Sequence, residues 1–246
     1  MPVLNRLAEL HPEITQWRRD IHAHPEIMFD THRTSALVAE LLRQFGCDDV
    51  VEGIGRTGVV GVINGKAQTS GKTIGLRADM DALPILEDTG LEYASKTDGA
   101  MHACGHDGHT AMLLGAAKYL CETRQFDGTV VVIFQPAEEG GGGGDLMCKD
   151  GMMDRWNIDE VYGMHNWPGL DVGQFAIRPG AFFASTDEFN IRVNGRGGHA
   201  AKPHETVDSI VVAAQLISAL QTIASRNADP VSEIVVSVTS NESSSK

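Results

Sequence analysis

The sequence predicts an α/β protein: a larger layered domain on a central, mostly parallel sheet, followed by a smaller α+β domain. Three observations carry this prediction. Short apolar runs alternate with stretches of helical periodicity, the pattern of layered α/β domains. One run, TVVVIF at 129–134, is apolar almost throughout, as a strand covered on both faces must be. Near Thr186 the pattern restarts as strand, helix, strand.

Residues 14–45 read as mostly helix, broken at His24-Pro25, because a proline disfavours helix in the residue before it. After Thr34, Leu37, Val38, Leu41, Leu42 and Phe45 recur at helical spacing, and Gly46 stops the run. Segments 57–63 (TGVVGVI) and 72–80 (KTIGLRADM) read as strands. Residues 110–120 read as a helix with its apolar stripe at Met112, Ala116 and Tyr119. Segments 129–134 and 160–165 (EVYGMH) complete the strands of the first part. In the second part, 187–195 (DEFNIRVNG) alternates like a half-exposed strand, 209–224 is an amphipathic helix and 232–238 is a strand. One helix resting on an antiparallel sheet is the expected arrangement there. The polar end, SNESSSK, is expected to fray.

With 246 residues, 42% hydrophobic and 22% charged, the chain has the composition of a soluble globular protein of one large domain or two. The formal net charge of −13 argues against nucleic acid or an anionic membrane as partner, since both are polyanions. The start lacks a signal peptide's apolar stretch, and no later segment is expected to reach membrane-spanning length, so the expected location is cytoplasmic. The four cysteines form no close-paired framework; Cys47, Cys121 and Cys148 read as ordinary buried or surface thiols.

The chemistry concentrates in MHACGHDGH, FQPAEEG and YGMHNW. Cys104, His106, His165 and one carboxylate of the Glu138-Glu139 pair are a normal complement for a metal of the zinc type. The other carboxylate is what an attacking water needs as proton acceptor. RADMD, QPAEEG and MHNWP each fall where a strand runs out into a loop, the usual place for sites in open α/β sheets. CGHD precedes a helix, whose dipole is expected to help hold a thiolate.

Other readings fit less well. Cys104 as a nucleophile, with His106 or His109 as base, leaves the acidic pair without a role. No G-x-S-x-G elbow is present, and the glycines at 140–144 lack the Lys-Ser or Lys-Thr of a phosphate loop. They read instead as a flexible stretch letting backbone approach a crowded site. His11, His22, His24, His32 and His204 read as structural, with His22 and His24 shaping a turn.

RADMDALP, MHACGHDGHT, FQPAEEG, HNWPG and NGRGGHAAKPHE, in that order, resemble the M20 metallopeptidase superfamily, in its amidohydrolase branch of hippurate hydrolases and N-acyl-amino-acid amidohydrolases. The resemblance runs from about Trp17 to Val238. It implies a catalytic metal-binding domain at 1–184 and a lid or dimerisation domain at 185–246. Cys104, His106, Glu139 and His165 match the family's metal ligands, and Glu138 matches its general base. Asp81 matches an aspartate beside the ligands, with the supporting role of orienting an imidazole. His199 matches a lid histidine that reaches a partner subunit's site and polarises the substrate carbonyl.

The implied cofactor is one or two divalent ions (zinc, manganese, cobalt or nickel), with zinc favoured by the thiolate. The implied reaction is hydrolysis of an N-acyl amino acid, hippurate-like, to a carboxylic acid and a free amino acid, by a homodimer joined through the lid. The family's pattern continues past VTSNESSSK with a further His ligand, so the sequence reads as truncated and its lid as incomplete. The alternative that follows is an inactive remnant that binds metal or dimerises.

Overall fold

A five-stranded sheet organises the first part of the chain. The computed structural model describes residues 4–243. The chain divides into two compact units at Phe175 and Ala176, somewhat before the expected boundary at 184.

In the first unit, α1 (Asn5–Ala23) and α2 (His32–Phe45) precede a hairpin of β1 (Asp49–Ile54) and β2 (Gly58–Asn64). Then follow β3 (Thr73–Asp79), α3 (His106–Thr123), β4 (Thr129–Gln135), the short helices α4 (Gly143–Lys149) and α5 (Met152–Arg155), and β5 (Glu160–Gly163). The strand order is β1-β2-β4-β3-β5. β4–β3 and β3–β5 are parallel, whereas β1–β2 and β2–β4 are antiparallel. The sheet is therefore mixed, its parallel part lying where the motif loops emerge. The connection from β1 to β2 is too short for a crossover, and so imposes an antiparallel pair.

Strand β4 explains its own composition. Val132 and Phe134 point into a core with Trp17, Val38, Leu42, Leu114 and Ala117, while Val131 and Ile133 point into a second core with Val60, Met147, Met152 and Ile158. Successive side chains face opposite sides of a sheet, so helices on both faces demand an apolar residue at nearly every position. β1 escaped the sequence reading because it is an edge strand with only partly buried residues.

α3 differs from expectation in extent and in face. It begins at His106, and it buries Leu113, Leu114, Ala117 and Cys121, leaving Met112 42% exposed. The helix is covered by the sheet's core on one side and by α1 on another. A Cβ on Gly115 would lie 2.5 Å from Ile14 Cδ1, so glycine is what lets α1 approach. A helix buried so widely shows no narrow stripe.

The glycine run is an anchored turn leading into α4. Gly143 N–H donates to Ala137 O (3.1 Å), and a Cβ on Gly143 would lie 1.8 Å from Pro136 O. Only glycine fits there.

In the second unit, a short 3-10 turn (Pro203–Glu205) precedes α6 (Ser209–Thr222), which continues into a π turn (Ile223–Asn227). Asp208 caps α6, its carboxylate accepting from Ile210 N (2.9 Å) and Val211 N (3.2 Å). The strands expected at 187–195 and 232–238 do not form; the described residues show only an isolated bridge between Arg196 and Val207. Alternation alone makes no strand without a neighbouring ladder to pair with. Ser209–Asn227 is also long and apolar enough, by length and composition, to cross a membrane, contrary to the expectation that no segment is. The fraying expected at 240–246 lies partly outside the described residues.

The α3 orientation has a direct test. Leu114→Ala, at a fully buried position, should lower unfolding stability by about 2–5 kcal/mol. Met112→Ala should change it by no more than about 0.5 kcal/mol. Urea denaturation followed by circular dichroism measures both, and equal losses would show the face misassigned.

Candidate metal centre

The parallel register brings the site loops together. Asp79 at the end of β3 pairs with Gln135 at the end of β4, and Arg77 pairs with Gly163 at the end of β5. The chain after each strand therefore emerges at one end of the sheet, where Asp81, Glu138-Glu139 and His165 lie, and α3 begins there with His106.

Asp81 holds this arrangement. One carboxylate oxygen accepts from Glu138 N–H (2.9 Å) and the other from Glu139 N–H (3.1 Å). Its main-chain oxygen lies 2.8 Å from His106 Nδ1. A carbonyl can only accept, so Nδ1 carries the hydrogen and His106 Nε2 is left with its lone pair. His165 repeats the device: its Nδ1 donates to Asn166 O (2.6 Å), leaving Nε2 3.4 Å from Cys104 Sγ.

His106 Nε2 and Glu139 Oε1 are both buried without a hydrogen-bond partner, and they stand 3.7 Å apart. Glu138 Oε2 is 3.8 Å from the same nitrogen. Donor atoms of Cys104, His106 and His165 lie within 4.8 Å of one another; so do those of His106, Glu138 and Glu139, and those of Asp79, His106 and His109. All three groups share His106. Ligands about 2.0–2.3 Å from a tetrahedral ion stand roughly 3.3–3.8 Å apart. The residues therefore fit a divalent cation in donor type, in spacing and in the orphaned lone pairs that buried polar atoms normally avoid. Burial separates the two glutamates: the Glu138 side chain is 41% exposed and that of Glu139 19%.

The local charge is negative. Burial first, and then the charge of Glu139, push the Cys104 thiol up to about 12. A thiol raised this far is a poor nucleophile, and a bound cation would take the place of its proton. Burial and the neighbouring Glu138 hold the Glu139 carboxyl above its usual range. For His106 burial favours the neutral ring, but Asp81, Asp79 and Glu139 outweigh it and raise its pKa.

Several residues around the centre were not assigned to it from sequence. Asp79 accepts from His109 Nδ1 (2.7 Å) and Arg77 Nη1 (2.7 Å). Burial alone would raise the Asp79 carboxyl, yet those two partners hold it well below the usual carboxylate range. His109 Nε2 in turn faces Asn166 Oδ1 at 2.5 Å. The signals were present: two aspartates in RADMD at the strand end, and His106 and His109 three apart on one helix face. Asp107, buried, accepts from Arg18 Nε (3.0 Å) and His22 Nδ1 (2.9 Å), tying α3's first turn to α1. His22 is thus a buried ion-pair partner rather than a turn residue. Burial pushes His102 down to about 4, and neither of its ring nitrogens has a hydrogen-bond partner.

Cys104, His106, Glu138, Glu139, His165 and Asp81 thus lie together in the first unit. His199 belongs to the second unit, where its Nδ1 accepts from Ala201 N–H (3.2 Å) and its carbonyl accepts from Lys202 N–H (2.8 Å).

Residues 75–244 match the model of peptidase family M20/M25/M40. The chain belongs to this family. It is 48% identical to a hippurate hydrolase of Campylobacter jejuni over 97% of its own length and 61% of that protein. It is 44% identical to an N-acyl-L-amino acid amidohydrolase of Geobacillus stearothermophilus, over 94% of its length and 62% of that one. Among solved structures it is similar to Bacillus subtilis YXEP, a dinuclear metal binding peptidase from the M20 family, with TM-score 0.66 and 35% identity over 87% of this chain and 57% of that one. The chain spans about three-fifths of the length of the curated relatives it matches.

Two outcomes follow from this geometry. The purified chain should bind a divalent metal that a Cys104→Ala, His106→Ala double variant loses and Glu138→Gln keeps; elemental analysis reads this, and equal metal in wild type and double variant would sink the ligand set. Asp81→Ala should weaken zinc binding by about 10–100-fold, because it removes the carboxylate that holds the Glu138 and Glu139 main-chain N–H groups, while the main-chain carbonyl on His106 is kept. Titration against a chromophoric chelator gives that ratio, and an unchanged affinity would mean that the loop is held by something else.

Proposed function

We propose that this M20 protein hydrolyses the amide bond of N-acyl amino acids, hippurate-like, releasing a carboxylic acid and a free amino acid. One observation carries the reading. Two buried atoms without partners, His106 Nε2 and Glu139 Oε1, suited to a divalent ion, have beside them a more open carboxylate, Glu138, 3.8 Å from His106 Nε2. The names of the similar hippurate hydrolase and N-acyl-L-amino acid amidohydrolase support the substrate class.

Cys104, His106, Glu139 and His165 would hold the ion, and the thiol among them favours zinc over manganese or magnesium, with cobalt and nickel also compatible. When bound, such an ion supplies Lewis acidity, which polarises a carbonyl and eases the deprotonation of water. Glu138 takes the proton of the attacking water and returns one to the leaving nitrogen. Its exposure suits that role, because a base must meet water, whereas the less exposed Glu139 is better used as a ligand. Asp81 keeps the two glutamates and the His106 ring in place through the hydrogen bonds described above. A second ion would take the clustered donors of Asp79, His106 and His109 in place of their present hydrogen bonds.

The first unit serves in this reading as the catalytic domain, and the second as part of a lid through which two copies pair. His199 would then polarise the substrate carbonyl in a partner's site. A cytoplasmic location, with no nucleic acid or membrane partner, belongs to the same proposal.

With zinc supplied, hippurate and a panel of N-acetyl amino acids should be hydrolysed, and Glu138→Gln should lower the rate by about a hundred- to ten-thousand-fold with metal content unchanged. A metal-loaded Glu138→Gln variant working at the wild-type rate would place the base elsewhere. Metal binding without turnover in the wild type would favour a metal-binding remnant.

A further inference from the structure

Cys47 and Cys121, 74 residues apart in sequence, meet at the far end of α3 from the metal centre. Their sulfurs are 3.6 Å apart, and both are free thiols. Cys121 belongs to the main core, and Cys47 packs against it from the turn after α2. The backbone carrying each is fixed independently. Cys47 N–H donates to Leu42 O (3.1 Å), closing the end of α2. Arg124, capping α3, donates to Gly46 O (2.7 Å), Asn64 O (2.9 Å) and the Asp48 carboxylate (2.7 Å), clamping the residues on either side of Cys47.

We propose that Cys47 and Cys121 are a site of reversible oxidation, joined as a disulfide by hydrogen peroxide. A disulfide needs its sulfurs about 2.05 Å apart, so closure brings them together by roughly 1.5 Å. The pair is also primed to react. The hydrogen bond from Cys47, with help from the Arg124 guanidinium, pulls the Cys121 thiol below its ordinary range. In the reaction, the thiolate of the pair attacks one peroxide oxygen, the O–O bond breaks, and hydroxide leaves and takes up the proton released by the thiol. The resulting sulfenic acid is attacked by the second thiol; the S–S bond forms and water departs. Two thiols are oxidised, one peroxide is reduced, and two waters result. The link would tie the last turn of α3 to the strand entry after α2, and it uses neither Cys104 nor any other residue of the centre.

The test treats the full chain with hydrogen peroxide, alkylates the remaining thiols in denaturant, digests without reduction and maps the peptides by mass spectrometry. The expected result is a Cys47–Cys121 linked peptide that dithiothreitol releases, with Cys148 still alkylated. Thermal unfolding of the oxidised chain should move up by several degrees, and Cys47→Ser should abolish both the link and the shift. Cys47 is the less buried of the two, so this variant tests the proposal even where Cys121→Ser fails to fold. Recovery of Cys47 and Cys121 both alkylated, or oxidised only to sulfinic acid, would overturn the assignment.

Discussion

Asp81 is the tie on which the metal centre depends. A carboxylate with two lone-pair faces can serve two donors, and here both donors are main-chain N–H groups of consecutive residues, Glu138 and Glu139. That fixes the course of the loop after β4 without using the glutamate side chains, which stay available for chemistry. The same residue's carbonyl fixes the ring of His106. One short stretch after β3 thereby sets a tautomer on α3 and the direction of two acids after β4. The parallel pairing of β3 with β4 is what brings these parts within one residue's reach.

Electrostatics explains why the arrangement is suited to a cation. The carboxylates of Glu138 and Glu139 lie with His106 inside a 4.8 Å cluster. Two like charges at that separation repel by up to about 3–4 kcal/mol at an effective dielectric of about 20, less where Glu138 meets water. Arg77 and His109, which could offset this repulsion, are already engaged by Asp79. Burial raises the pKa values of Cys104 and Glu139 first, and the neighbouring carboxylates add to it, so both groups hold their protons more tightly. A divalent ion replaces those protons with a charge that satisfies all donors at once. Metal uptake at such a site therefore releases protons.

How much of this the sequence disclosed follows from where each signal is local. The apolar run at 129–134 reports burial on both faces directly, so β4 could be read from its residues alone. The motif residues were legible because their side-chain types are rare together. β1 was not, because an edge strand needs little hydrophobicity and forms by docking on β2. The strands expected in the second unit failed for the converse reason: DEFNIRVNG has the right alternation, yet pairing is a property of two segments. Asp79 and His109 were hidden by a simpler difficulty. Charged residues at a strand end look solvated until the topology shows them buried beside each other.

α3 shows best why a helix's face can mislead. Its first turn holds His106, Asp107, His109 and Thr110, all buried and each engaged by a residue outside the helix. His106 meets the Asp81 carbonyl, Asp107 meets Arg18 and His22 of α1, His109 meets Asp79 and Asn166, and the Thr110 hydroxyl donates to Asp79 O (2.8 Å). A periodicity argument treats polar residues as outward-facing, so it starts this helix a turn late and then turns its stripe the wrong way. Polar burial of this density is expensive unless every group is matched. In α3's first turn the matching is nearly complete, and the unmatched buried atoms there are His106 Nε2, directed at the metal centre, and Asp107 Oδ1. The fold thus satisfies the groups that position the centre and leaves unsatisfied the nitrogen that a ligand would take.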